Sequence, residues 1–143
     1  MKKLFFATAV LALVAGFATS CTDEQSNTEK LTGTWRLEET EVDLGNDGTI
    51  DSTEIPTGCD ADDDLVVAAN GTFTINFNTL CNAGDPATET GTWAFSANET
   101  ILTITNNTFP LPIPFTVEEL TSDHMKLSIN DGTDKTIAHY HKQ

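Results

Sequence analysis

Short runs in which apolar and polar residues alternate recur along most of this chain, and that pattern limits it to sheet. Trp35 and Leu37 alternate with Arg36 and Glu38, and Phe73, Ile75 and Phe77 with Thr72, Thr74 and Asn76. Trp93 and Phe95 do the same with Thr92 and Ala94, Leu102 and Ile104 with Thr103, and Met125, Leu127 and Ile129 with Lys126 and Ser128. Period two with aromatic and β-branched residues describes strands buried on one face. The pattern predicts strands at about 33–42, 64–68, 72–78, 91–96, 101–106, 115–120, 124–130 and 134–141. Helical periodicity is nearly absent. Short Asn-Gly, Asn-Glu, Ser-Asp and Asp-Gly turns join successive strands, so each is expected to pair with the next. The expected fold is all-β, an eight-stranded antiparallel up-and-down barrel, whose closure leaves no open edge. Phe109-Pro-Leu-Pro-Ile-Pro-Phe115 interrupts the pattern. Pro110, Pro112 and Pro114 each lack an N–H, so this segment is expected to be an extended connection into the sixth strand, or an apolar lip at the barrel mouth.

One hairpin can be assigned a register. A two-residue Asn70-Gly71 loop would mix apolar and polar partners across the ladder. A three-residue loop, Ala69-Asn70-Gly71, pairs residues whose numbers sum to 140 and sets Val67 opposite Phe73 and Leu65 opposite Ile75. That is a type I turn followed by a bulge, with Gly71 in the left-handed conformation. Cys59 and Cys81 also sum to 140. In a secreted chain an even number of cysteines favours a disulfide, so Cys59–Cys81 is expected to form.

The cysteine count is even only because Cys21 is committed elsewhere. Met1-Lys2-Lys3, an apolar run from Leu4 to Phe17 and the small residues Ala18-Thr19-Ser20 are the parts of a secretory signal. The run is shorter than the ~20 residues of a membrane-spanning helix. Ala18-Thr19-Ser20-Cys21 resembles a bacterial lipobox, with Ala18 where Leu is usual. The resemblance implies removal of residues 1–20 and lipidation of Cys21 by diacylglycerol and an acyl chain such as palmitate. At ~0.8 kcal/mol per buried CH₂, three chains anchor a protein permanently. Residues 21–30 are expected to be the lipidated cysteine and a flexible polar tether, and residues 31–143 the folded domain. The Thr22-Asp23-Glu24 start resembles the acidic tract that directs some lipoproteins of Bacteroidota-type bacteria to the cell surface. The expected location is therefore the cell envelope, as an outer membrane lipoprotein exposed at the surface.

Loss of Lys2 and Lys3 with the signal leaves five basic and 22 acidic residues, a formal charge of −17. Such a chain is a poor partner for nucleic acid, which needs a basic face. Eleven of the acids lie between Glu38 and Asp64, with no Lys or Arg among them. Part of this stretch approaches a calcium loop. Asp43, Asp47, Thr49, Asp51 and Glu54 fall at loop positions 1, 5, 7, 9 and 12, with Gly48 at the turn. Gly45 leaves position 3 without a ligand, and no helices flank the loop. Two readings stay open, a Ca²⁺ site and a solvated acidic loop. His139 and His141 flank Tyr140 and share a strand face; His124 is the only further His, so decoration of a terminal strand is expected rather than a metal site. Gly-x-Ser-x-Gly, His-Glu-x-x-His and P-loop motifs are absent, and the chain is read as a non-enzyme.

Leu31-Thr-Gly-Thr-Trp35, Cys59-Asp60 with Asp62-Asp63-Asp64, Asn70-Gly-Thr-Phe73 and Gly91-Thr-Trp93 resemble the lipocalin-like lipoprotein domains of Bacteroidota-type bacteria. Gly33-x-Trp35 also resembles the Gly-x-Trp motif of true lipocalins, where the Trp packs at the closed barrel end. The chain is shorter than those proteins and lacks their C-terminal helix. Function in the resembling family is mostly unassigned; the leading reading is a monomeric domain that binds a small apolar ligand without catalysis, with Trp35, Phe73, Phe77, Trp93, Phe95 and Phe115 lining the interior. The alternative is a surface interaction or structural lipoprotein whose barrel those rings fill.

Overall fold

The computed structural model describes residues 25–143, so the signal and Cys21 lie outside the described residues. The strands are β1 (Gly33–Asp43), β2 (Ser52–Glu54), β3 (Asp64–Ala68), β4 (Thr72–Asn76), β5 (Thr88–Phe95), β6 (Ile101–Asn106), β7 (Pro112–Leu120), β8 (His124–Asn130) and β9 (Lys135–Lys142). From β3 to β9 each strand pairs antiparallel with the next, and β1 pairs with both β3 and β9. These eight strands close a barrel. The short β2 is an addition that folds back on the far end of β1, with Glu54 opposite Thr40.

The β3–β4 hairpin has the expected register. Val67 lies opposite Phe73, Leu65 opposite Ile75, and Gly71 takes φ +85°. Cys59 and Cys81 are bonded, with Cα atoms 5.3 Å apart. The ladder does not extend to them, as it stops at Asp64–Asn76. Cys59 instead lies in a 3-10 turn, Gly58–Asp62, and the disulfide ties that turn to the β4–β5 loop.

Two expectations need correction. The polar composition of residues 27–30 predicts a flexible tether, but Asn27–Leu31 forms a helix, α1. Ser26 and Glu29 make a reciprocal capping box, a Ser-x-x-Glu signal present in the tether itself. Five residues cannot hold a helix alone. Leu31 anchors this one, packed with Val67, Leu102, Met125 and Leu127. Second, the proline segment is not only a connection: β7 begins at Pro112, with Pro112 opposite Thr105 and Pro114 opposite Thr103. Val117 donates its N–H to Thr100 O across the β6 ladder, so Ile113 and Phe115 also face β6 with their donors. The proline nitrogens point the other way, where pairing with β8 starts only at Thr116. The missing donors are therefore never required.

Strand direction sorts the loops into two ends. The turns after β3, β5 and β7 lie with α1 at one end. The β1–β3 segment, the β4–β5 loop, Asn107–Leu111 and the β8–β9 turn lie at the other. Trp35 is fully buried at the α1 end, where its Nε1 donates to Leu31 O at 2.7 Å and Lys142 Nζ lies 5.0 Å from its ring. This end is closed, and only about 10 Å³ of void remains between Leu31, Val67, Trp93, Leu102, Met125 and Leu127, room for one water at most.

Candidate ligand cavity and vestibule

The other half of the barrel is hollow. A cavity of about 370 Å³ lies above the packed floor, within the ~300–1,000 Å³ of small-molecule sites. Trp35 and Phe73 form its base, and Leu65, Ile75, Ile104, Ile113 and Phe115 its walls. Phe77 lies at the top, with Asp63, Asn106 and Tyr140 as polar lining. Sequence alternation placed these side chains on one face. Depth along the barrel axis decides which of them meet the cavity. Trp35, Phe73, Phe77 and Phe115 do. Trp93 and Phe95, expected beside them, lie lower, edge to face at 5.6 Å, with Trp93 Nε1 donating to Ala68 O.

Gly91 makes room for the base. It lies opposite Phe73 on β5, and a Cβ there would overlap the Phe73 ring and the Thr105 carbonyl oxygen. Tyr140 enters from β9, opposite Leu37 and Met125, and burial pushes its phenol above the ordinary value of 10.0.

A second hollow of about 250 Å³ adjoins the cavity through the shared residues Asp63 and Phe77. Its rim carries the Cys59–Cys81 disulfide, Leu80, Pro86 and the carboxylates Asp60, Asp85 and Glu89. Glu89 accepts a hydrogen bond from Asn106 Nδ2. Among the described residues, no Lys, Arg or His lines either hollow. Near the same end Phe109 and Leu111 are 62% and 57% exposed on the β6–β7 loop.

The three adjacent acids leading into β3, Asp62, Asp63 and Asp64, have three different surroundings. Asp64 faces outward and takes both Nε and Nη2 of Arg36, the latter at 2.7 Å. Asp62 accepts the Thr79 hydroxyl on its Oδ2, while its Oδ1 is buried with no hydrogen-bond partner among the described residues. Asp63 shares the inward face with Leu65 and Val67, and its Oδ1 is buried with no hydrogen-bond partner among the described residues. Desolvation, with Asp60, Asp62 and Asp64 close by, pushes its carboxyl above the ordinary value of 3.8. Nothing in a run of identical acids marks the middle one. Only the start of β3 fixes which faces inward.

The structure does not gather the five residues of the calcium pattern. Asp43, 3% exposed, takes the N–H groups of Asp47 and Gly48 on its two carboxylate oxygens. Asp47 takes the N–H of Thr49, and Asp51 takes that of Leu44. Glu54 stands apart on β2. The acids thus close the β1–β2 hairpin by its own hydrogen bonds. His139 and His141 lie on the outer face, opposite to Tyr140. His139 sits between Glu41 at 2.9 Å and Glu39 at 3.7 Å, a pairing made when a bulge after Leu37 turns both glutamates outward. The His141 ring lies 5.2 Å from that of His124.

The sequence profile of the lipocalin-like domain family matches residues 31–127, and the chain belongs to that family. A crystal structure of a lipocalin-like protein from Bacteroides uniformis superposes with a TM-score of 0.55 at 19% identity, covering 80% of this chain and 99% of that one. The likeness is one of fold. No curated protein matches the chain.

Proposed function

We propose that this is an envelope lipoprotein, anchored through Cys21, whose barrel binds a small apolar ligand without catalysis. The observation that carries the reading is the apolar cavity of about 370 Å³ above a packed floor. A barrel that served only as a rigid module would gain stability by filling that space, since unfilled apolar volume is costly. The signal and lipobox pattern supports placement in the envelope, at the outer membrane, with the mouth of the barrel open to its surroundings. The test is binding of an environment-sensitive apolar fluorophore to the soluble domain. Saturable binding is expected, and Ile75→Trp, which fills the cavity, should abolish it. Binding that survives Ile75→Trp would place the ligand elsewhere and return the barrel to a structural role.

A further inference from the structure

The cavity reading leaves the chemistry of the ligand's polar end open, and the mouth constrains it. We propose that the barrel selects an apolar molecule carrying a cationic, hydrogen-bond-donating head, such as an alkylammonium, and rejects alkyl carboxylates of the same length. This rests on the cavity being a ligand site. The ligand's apolar body would lie against Phe73, Ile75 and Phe115, and its head would reach Asp63 at the junction of cavity and vestibule.

Three observations converge on that head group. Asp62 Oδ1 and Asp63 Oδ1 are both buried and unpartnered among the described residues, and of the two residues only Asp63 lines the cavity and vestibule, so a donor is missing at that point. A buried acceptor without a partner is costly, more so when charged, and a ligand donor would remove the cost. Asp60, Asp85 and Glu89 continue the negative field outward along the vestibule, with no cation in its lining. Arg36, the cation on the adjoining strand, is occupied by Asp64 on the outer face. A carboxylate head would therefore meet repulsion along the whole approach, whereas an ammonium would be steered inward. The raised carboxyl of Asp63 fits the same picture, since its charge is unfavourable until a cation arrives.

The experiment compares decylamine, decanol and decanoate by calorimetry on the soluble domain at neutral pH, for the wild type and Asp63→Asn. Decylamine should bind about tenfold or more tightly than decanol, with decanoate weakest, as expected for one charge-assisted hydrogen bond. Asp63→Asn should bring the amine down to the level of decanol, with an unchanged far-ultraviolet circular dichroism spectrum showing that the variant is folded. If Asp63→Asn binds nothing, the salt response of the wild type decides: amine affinity must fall with added NaCl while decanol affinity does not. Decanoate binding as tightly as the amine overturns the head-group assignment and leaves the cavity reading standing. An amine preference unchanged in Asp63→Asn also overturns it. Failure of all three ligands to bind the wild type overturns both.

Discussion

A carboxylate that gains nothing from folding should reveal itself in stability. Asp63 is such a group: its folded-state pKa is raised, so ionisation weakens the folded state once pH exceeds the ordinary carboxylate value. Asp63→Asn is expected to raise the melting temperature of the ligand-free domain at pH 7, and the gain should vanish as pH falls below 3.8. Glu118 carries the opposite sign. Hydrogen bonds from Lys135 and Ser128 hold its carboxyl below the ordinary 4.5. Its contribution is present above that value and is lost as pH falls through the depressed one. Glu118→Gln should therefore lower the melting temperature at pH 7, and the two proteins should converge in acid. At Gly91 the variable is volume. Gly91→Ala forces a methyl into the Phe73 ring and the Thr105 carbonyl, and denaturant unfolding should show a loss of ~1–3 kcal/mol. These roles differ in how far they could be read from the chain. Val67 and Phe73 were legible because apolar contrast marks every second position. Asp63 was not, because Asp62-Asp63-Asp64 carries no contrast, and Trp93 was misplaced because alternation records face but not depth.

Among the elements, β7 shows how far parity can reconcile sequence with fold. Counting missing donors argued against a strand at Pro112 and Pro114. Asking which side each nitrogen faces reconciles them, since both face away from β6. Moving the ring by one residue should therefore be harmful. Ile113→Pro orphans the carbonyl of its β6 partner, Ile104, and is expected to cost ~1–3 kcal/mol in chemical denaturation. The β1–β2 hairpin carries the reverse lesson. Acids at the spacing of a calcium loop here accept backbone N–H groups, contacts that spacing cannot reveal and that leave each carboxylate lone pairs to spare. Millimolar calcium is expected to leave the melting temperature unchanged. A rise abolished by Asp43→Ala would instead show that the loop binds the ion. The disulfide joins two rim loops across a separation of 22 residues, and Cys59→Ser with Cys81→Ser should cost ~3 kcal/mol in unfolding free energy.

For the molecule as a whole the governing quantities are charge and connectivity. A net charge of −15 favours the expanded chain at low ionic strength. Sodium chloride should raise the melting temperature steeply up to physiological strength and then level off as repulsion is screened. Connectivity has a consequence for how the chain is made. From β3 to β9 each strand finds its partner one turn away. The seam is different, because β1 must wait for β9, with Trp35 opposite Lys142. Until that last strand arrives, one edge of β1 stands open, inviting pairing with a neighbouring chain. Such non-local closure is the slow event in sheet proteins. A chain delivered across a membrane N-terminus first would expose that edge for the whole of its passage, so its greatest hazard is the interval before the barrel closes.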